Sequence, residues 1–307
     1  MRSSSPETNN APHSASRSGL LVAMVLLLIA SPVWAQKLEP KVRSIEPDHV
    51  IHSEITGREY QLYIAFPSGY STSDDTTYPV LYILDGAYFY PTINQVNRRL
   101  SARRQIQDVV IVGIHSGGDR VSWFANRTID YTPSSDVQDD RSAEREFGIP
   151  EGRLESGGAA RFLKSIKTEI GPFIEEHYKV NQDRGIAGHS LGGLFAAYCL
   201  VNSDGYFTRF GLNSPSMWWH NKRFLDASVQ QFENNKTWDI PNSRVFISVG
   251  ELEDAKQVPT MLSFSQHLHG ASYSNVELTW QVFEHETHLT VMPASMSRTL
   301  TWLYSKE

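Results

Sequence analysis

Residues Gly185-Ile186-Ala187-Gly188-His189-Ser190-Leu191-Gly192-Gly193 read as a strand end, a sharp bend and the first turn of a helix. Gly188 and Gly192 flank Ser190 in the G-x-S-x-G pattern of a nucleophile elbow. A strained turn of this kind lifts the serine hydroxyl above a sheet. Side chains two positions to either side would meet the neighbouring strand and helix, so only the smallest residue fits. The N–H of Leu191 then points from a helix N-terminus toward an oxygen that turns negative during acyl transfer. Leu194 to Val201 follow as a helix that is apolar on most sides, as a buried helix is.

The flanking chain alternates strand-like and helix-like segments, which predicts an α/β architecture. His49 to Ile55 and Glu59 to Phe66 form an antiparallel pair turning at Thr56-Gly57. Pro79 to Leu84, Val109 to Ile114, Phe207 to Leu212, Arg244 to Val249 and Val276 to Phe283 are further short apolar strands. A polar helix is expected around Asn97 to Arg104. Phe162, Ile166, Ile170 and Phe173 recur at helical spacing, predicting a helix from Arg161 to Tyr178 with a kink at Pro172. Thr290 to Tyr304 closes the chain as a helix. Asn126 to Gly158 is polar and lacks a sustained period, and reads as a long insertion, either a mobile surface loop or a lid beside the site.

Arg2 and Arg17 precede an apolar run from Leu20 to Ala30, and Val33-Trp34-Ala35 supplies small residues at the positions a signal peptidase reads. Residues 1–35 are therefore expected to be a secretory signal, the run being short for a membrane span. Residues 36–307 are expected to form one catalytic domain, periplasmic or secreted, with no membrane attachment after cleavage. The net charge of −6 is scattered over both signs, with no basic stripe, which argues against nucleic acid as a partner. The single cysteine, Cys199, can form no intrachain disulfide. The sequence carries no metal motif, and the chemistry read here calls for no cofactor. His267 and His269 read as surface residues of a helix.

A serine hydroxyl needs a base, and the base needs an orienting carboxylate. In this architecture the chain order is serine, acid, histidine. His288, in Glu284-His285-Glu286-Thr287-His288, lies just past the final strand and before the last helix, and is the leading base; His285 is its rival. Three carboxylates crowd the end of the strand that runs into Gly250-Glu251-Leu252-Glu253-Asp254. Glu253, three residues after the glycine, is the leading acid, with Glu251 and Asp254 as alternatives. Asp85-Gly86-Ala87-Tyr88 supplies the turn after the third strand, and the N–H of Ala87 pairs with that of Leu191 as the oxyanion donors.

Taken with the elbow, the segments Leu84-Asp85-Gly86, Arg127-Thr128-Ile129-Asp130-Tyr131-Thr132-Pro133, Asn213-Ser214-Pro215-Ser216-Met217-Trp218-Trp219, Gly250-Glu251-Leu252-Glu253 and Glu286-Thr287-His288 resemble the esterase D-like esterases. That family includes S-formylglutathione hydrolases, feruloyl esterases, mycolyltransferases and trilactone siderophore esterases. The Arg-x-x-Asp-Tyr-Thr-Pro and Ser-Pro-Ser-x-Trp-Trp pair is most similar to the bacterial siderophore-esterase branch. The resemblance implies an α/β-hydrolase fold, with a mostly parallel central sheet and helices on both faces. It also implies hydrolysis of a small-molecule ester through an acyl-enzyme. Arg127 then contacts an anionic or catecholate group of the substrate, or else forms a salt bridge with Asp130. Trp218 and Trp219 wall an aromatic pocket, or one of them packs in the core. A broad-specificity carboxylesterase, an acetyl or feruloyl carbohydrate esterase, and a non-catalytic binding protein on the same fold are the other readings.

Overall fold

The computed structural model describes residues 45–306. The expected signal segment lies outside them. An eight-stranded sheet runs in the order β1-β2-β4-β3-β5-β6-β7-β8. The strands are β1 (His49–Ser53), β2 (Arg58–Ala65), β3 (Tyr78–Leu84), β4 (Val110–Ser116), β5 (Val180–His189), β6 (Arg209–Asn213), β7 (Ser243–Gly250) and β8 (Val276–Phe283). The pairs β1·β2 and β2·β4 are antiparallel, and all the others are parallel. This is the α/β-hydrolase fold.

Strand β3 shows why the middle strands read as unbroken apolar runs. Val80, Tyr82 and Leu84 enter a core on one face of the sheet, while Leu81 and Ile83 enter a core on the other. A strand covered on both faces has no polar side to alternate with. The second face is covered by α1 (Gly86–Ala102) and α9 (Met292–Leu303). The first is covered by α4 (Ala159–Ser165), α5 (Gly171–His177), α6 (Leu191–Asn202), α7 (Arg223–Asn234) and α8 (Gln257–Gly270). Phe162, Phe195, Phe207, Phe232 and Phe264 fill that layer.

Three expectations change. The helix placed at Asn97 to Arg104 begins much earlier, at Gly86, directly after β3. The kink expected at Pro172 is taken up by a π-helical turn, Ile166–Ile170, between α4 and α5. There Gly171 N–H donates to Ile166 O, five residues back, so the ladder changes register just before the residue that has no N–H. The supposed insertion at 126–158 is not structureless. It holds the end of α2 (Arg120–Tyr131) and all of α3 (Val137–Phe147). Their buried residues are largely polar: Arg127, Thr128 and Asp130 beside Ala125 and Tyr131 on α2, Asp140 and Glu144 on α3. Hydrogen bonds and ion pairs fasten these helices together with a small apolar cluster of Ala125, Ile149 and Leu154.

Gly86 is where α1 crosses closest to the sheet. A Cβ there would lie 2.5 Å from the Gly113 carbonyl carbon of β4. Gly86→Ala should therefore destabilise the protein by about 1–3 kcal/mol through overpacking. Gly270→Ala is the control, since nothing lies within 4 Å of the added methyl. It should be neutral or stabilising by about 0.5 kcal/mol. Urea unfolding of the two variants checks this; equal effects would overturn the packing argument.

Candidate active site

Ser190 joins β5 to α6 with φ 62° and ψ −122°, a backbone conformation non-glycine residues rarely hold. Its N–H donates to Asn213 O at 3.0 Å, and its carbonyl accepts from Leu194 N–H at 3.0 Å and Ser216 N–H at 3.1 Å. The turn needs its glycines unequally. A Cβ on Gly188 would sit 2.5 Å from the Gly192 carbonyl carbon, and one on Gly193 would sit 2.6 Å from Asn213 O. At Gly192 the nearest atom is Leu84 Cβ at 3.3 Å. Gly193, outside the five-residue pattern, is thus held more tightly than Gly192 within it. Leu191 and Ala87 stand in the first turns of α6 and α1, where helical N–H groups lack acceptors within the helix.

The carboxyl of Glu253 is buried and accepts three hydrogen bonds. Ser214 Oγ and Gly250 N–H reach one oxygen at 2.6 and 2.7 Å, and His288 Nδ1 reaches the other at 2.6 Å. With Nδ1 donating to a carboxylate, the neutral His288 ring presents Nε2 as an acceptor. The acid turn is fastened to the histidine loop: Leu252 N–H donates to Glu286 O at 2.9 Å. A Cβ on Gly250 would lie 2.4 Å from that same Glu286 oxygen. The rival residues go elsewhere. His285 turns outward with its side chain 89% exposed, 3.7 Å from Glu251. Asp254 accepts from Lys256 and Gln257 N–H at the start of α8.

Ser190, Leu191, Glu253, His288, Arg127, Trp218 and Trp219 line one cavity of about 660 Å³. Trp218 is partly buried, and its Nε1 donates to Gln257 Oε1 at 2.7 Å. Trp219 is 5% exposed and also belongs to the core, with Nε1 donating to Ser134 O at 3.4 Å. Ser216 Oγ lies 3.4 Å from Ser190 Oγ.

Arg127 does not pair with Asp130. Asp130 is taken by Arg58 and by Tyr60 Oη. Arg127 instead grips Asp85: Nε lies 3.0 Å from Oδ1, and Nη2 lies 2.8 Å from Oδ2. Trp123 Nε1 donates to the same carboxylate at 3.2 Å, and Asp85 N–H donates to Tyr131 Oη at 3.2 Å. Asp85 is left-handed, with φ 54°, and precedes Gly86 and Ala87. Two nitrogens of Arg127 are thus spent, and Nη1 makes no hydrogen bond with a described residue. His189, before the nucleophile position, is buried, with its ring centroid 4.5 Å from that of His288. Burial first, and then the neighbouring His288 and Arg127, push its imidazole well below the ordinary value.

Asp85, His189, Ser214 and Gln257 were not read as site residues from the sequence. The Leu-Asp-Gly and Ser-Pro-Ser motifs contain two of them, but a motif does not show which distant group its side chain meets.

The fold, with a strained serine at the junction of β5 and α6, defines an α/β-hydrolase. The "Putative esterase" family model matches residues 53–289, and the chain belongs to that family. It is a serine ester hydrolase. The ferri-bacillibactin esterase BesA of Bacillus subtilis is 28% identical over 261 residues, covering 82% of this chain and 86% of that protein. The crystal structure of the BES protein from Bacillus cereus has a TM-score of 0.73 at 27% identity, covering 87% of this chain and all of that one. An IroE-like serine hydrolase from Shewanella oneidensis shares the fold, with a TM-score of 0.69 at 24% identity over 83% of this chain and 79% of that one.

Two outcomes follow from these contacts. Arg127→Ala leaves the Asp85 carboxylate buried without its cation and should cost about 3–5 kcal/mol of stability. Adding Asp85→Ala should recover part of that loss; strictly additive urea-unfolding energies would mean the pair is not coupled. The second concerns Glu144 of α3. Desolvation raises its pKa, but hydrogen bonds from Leu154 N–H, Arg141, and Gly152 and Arg153 N–H outweigh it and hold the carboxyl at about 2. A pKa depressed from the unfolded value of about 4.3 stabilises above that pH and is lost as pH falls toward 2. Protection factors for amides in 137–154, corrected for the intrinsic exchange rate, should fall over that window and lose this pH dependence in Glu144→Gln.

Proposed function

We propose that this protein is an exported esterase that opens catecholate trilactones of the siderophore type through an acyl-enzyme. The observation that carries the mechanism is the 2.6 Å contact of His288 Nδ1 with the buried Glu253, in the cavity that Ser190 also lines. His288 Nε2 takes the proton from Ser190 Oγ as that oxygen attacks the ester carbonyl. The resulting oxyanion is held by the N–H groups of Leu191 and Ala87. His288 returns the proton to the departing alkoxide as the C–O bond breaks. Water then attacks the acyl-serine by the same relay, releasing the acid and the serine. Glu253 fixes the ring and stabilises its cation.

Substrate and location rest on other observations. The relative BesA is named a ferri-bacillibactin esterase and spans most of this chain. Trp218 and Trp219 give the cavity aromatic walls, and Arg127 Nη1 remains to meet a carbonyl or catechol oxygen. The apolar run and the Val33-Trp34-Ala35 sequence support export to the periplasm or medium.

In a folded protein, Ser190→Ala should lower kcat by about 10⁴-fold or more and abolish fluorophosphonate labelling. His288→Ala should be comparable, and Glu253→Gln should cost about 10²- to 10⁴-fold. His285→Ala should change kcat by less than about two-fold, since its ring faces solvent. Near-normal turnover by folded Ser190→Ala would remove it from the mechanism. For the substrate, kcat/KM on a catecholate trilactone should exceed that on 4-nitrophenyl acetate or a feruloyl sugar ester. The opposite ranking would leave a broad carboxylesterase or a carbohydrate esterase.

A further inference from the structure

The mechanism above leaves one buried hydroxyl at the cavity unused. Ser216 is 1% exposed and lines the cavity together with Ser190. Its Oγ lies 3.4 Å from Ser190 Oγ, and neither hydroxyl has another hydrogen-bond partner among the described residues. The backbone sets its position from both sides. Ser216 N–H donates to Ser190 O at 3.1 Å, and Ser216 O accepts from Trp219 N–H at 3.1 Å. Ser214, two residues earlier, is left-handed with φ 42°, and Gln257 Nε2 donates to Ser214 O at 2.6 Å and to Pro215 O at 2.7 Å. The Ser216 hydroxyl is thus carried on a fixed turn and directed at the oxygen of the nucleophile position.

A serine hydroxyl has one proton and two lone pairs. In the proposed mechanism the Ser190 proton passes to His288 Nε2, so Ser190 Oγ is left to accept from Ser216. In the acyl-enzyme Ser190 Oγ is an ester oxygen, a weak acceptor because its lone pair is shared with the carbonyl. Once water has added, the C–Oγ bond breaks and its electron pair moves onto Oγ. That oxygen is a strong acceptor until His288 Nε2–H returns the proton. A donor beside it is held more tightly in this transition state than in the acyl-enzyme, and only such a difference accelerates a step. Contacts that are long in a resting site shorten as charge develops. We propose that Ser216 is a catalytic residue whose O–H donates to Ser190 Oγ as the acyl-enzyme breaks down. It transfers no proton and ends the cycle unchanged. Its role differs from that of the Leu191 and Ala87 N–H groups, which serve the carbonyl oxygen. In the attack step the gain is smaller, because the free serine is an alcohol and already a good acceptor. The proposal rests on the acyl-enzyme reading above.

Ser216→Ala deletes the hydroxyl and keeps both backbone hydrogen bonds, and an unchanged thermal melt establishes that it is folded. The full chain and its variants are loaded with 4-nitrophenyl dimethylcarbamate. Release of nitrophenolate reads the attack by Ser190, and recovery of esterase activity after gel filtration reads the departure of Ser190 Oγ from the carbamoyl group. Ser216→Ala should slow recovery by about ten-fold and loading by less than about three-fold. Ser216→Thr, which keeps a hydroxyl, should recover within about three-fold of the unsubstituted chain. A merely structural role would misplace Ser190 for both steps and slow them alike; that result, or recovery of Ser216→Ala at the unsubstituted rate, overturns the proposal. Peptide mass mapping separates the two readings. A carbamoyl group found on Ser190, with recovery indifferent to Ser216→Ala, removes Ser216 alone. Turnover with no carbamoyl group on Ser190 in any form removes the acyl-enzyme reading and the role of Ser216 with it.

Discussion

Holding Ser190 at φ 62° and ψ −122° costs about 1–3 kcal/mol of backbone strain, which only surrounding contacts can hold in place. Those contacts come from both ends of the residue. Asn213 O takes its N–H, while Ser216 and Leu194 N–H reach its carbonyl. The turn closes only because Gly188 and Gly193 let β5, α6 and the end of β6 approach to distances that a methyl group forbids. Strand spacing, helix entry and the path of the chain after β6 are all tied to this one distorted residue.

The same stretch of chain after β6 reaches Glu253. Asn213 O binds Ser190 N–H, the next residue places Ser214 Oγ on Glu253, and Ser216 N–H returns to Ser190 O. Ser214 N–H in turn donates to Ser248 O on β7, the strand that leads into the acid turn. Four residues thus connect Ser190 to the carboxylate that His288 Nδ1 contacts. Gln257 reinforces the connection by donating to Ser214 O and Pro215 O while accepting from Trp218 Nε1. The wall of the cavity and the alignment of the polar groups are consequently one network. Changes at Trp218 are expected to reach the acid through Gln257.

Much of this was legible in the residues. A serine between glycines at a strand-to-helix junction has few readings, and strands buried on both faces announce themselves as apolar runs. Glu253, by contrast, could not be separated from Glu251 and Asp254 by composition, because three carboxylates in four residues differ only in where the turn aims them. The backbone aims one at His288, one at His285 and one at the N-terminus of α8. Helices α2 and α3 were hidden for another reason. Their inward residues include Arg127, Asp130, Asp140 and Glu144, whose partners lie on other segments, so their burial leaves no periodic trace. Arg127 illustrates this: its carboxylate is 42 residues away, in a turn that reads as the source of the Ala87 N–H and not of a carboxylate partner.

That buried pair is better explained by geometry than by stability. Removing two charges from water seldom yields a net gain, and a well-packed apolar pair is often at least as stable. An apolar pair would not, however, define a direction. The Arg127 fork and the Trp123 indole fix the plane of the Asp85 carboxylate, and Tyr131 Oη fixes its N–H. Held at both ends, Asp85 stays left-handed, and the chain leaves it directly into the first turn of α1, where Gly86 lies against Gly113. In the proposed mechanism that turn carries the second oxyanion donor, whose position must hold to within a few tenths of an ångström to be effective. In that mechanism the strain at Ser190 and the ion pair at Asp85 serve the same end. Each fixes one N–H before any substrate arrives, so that little reorganisation remains when the ester carbonyl becomes tetrahedral.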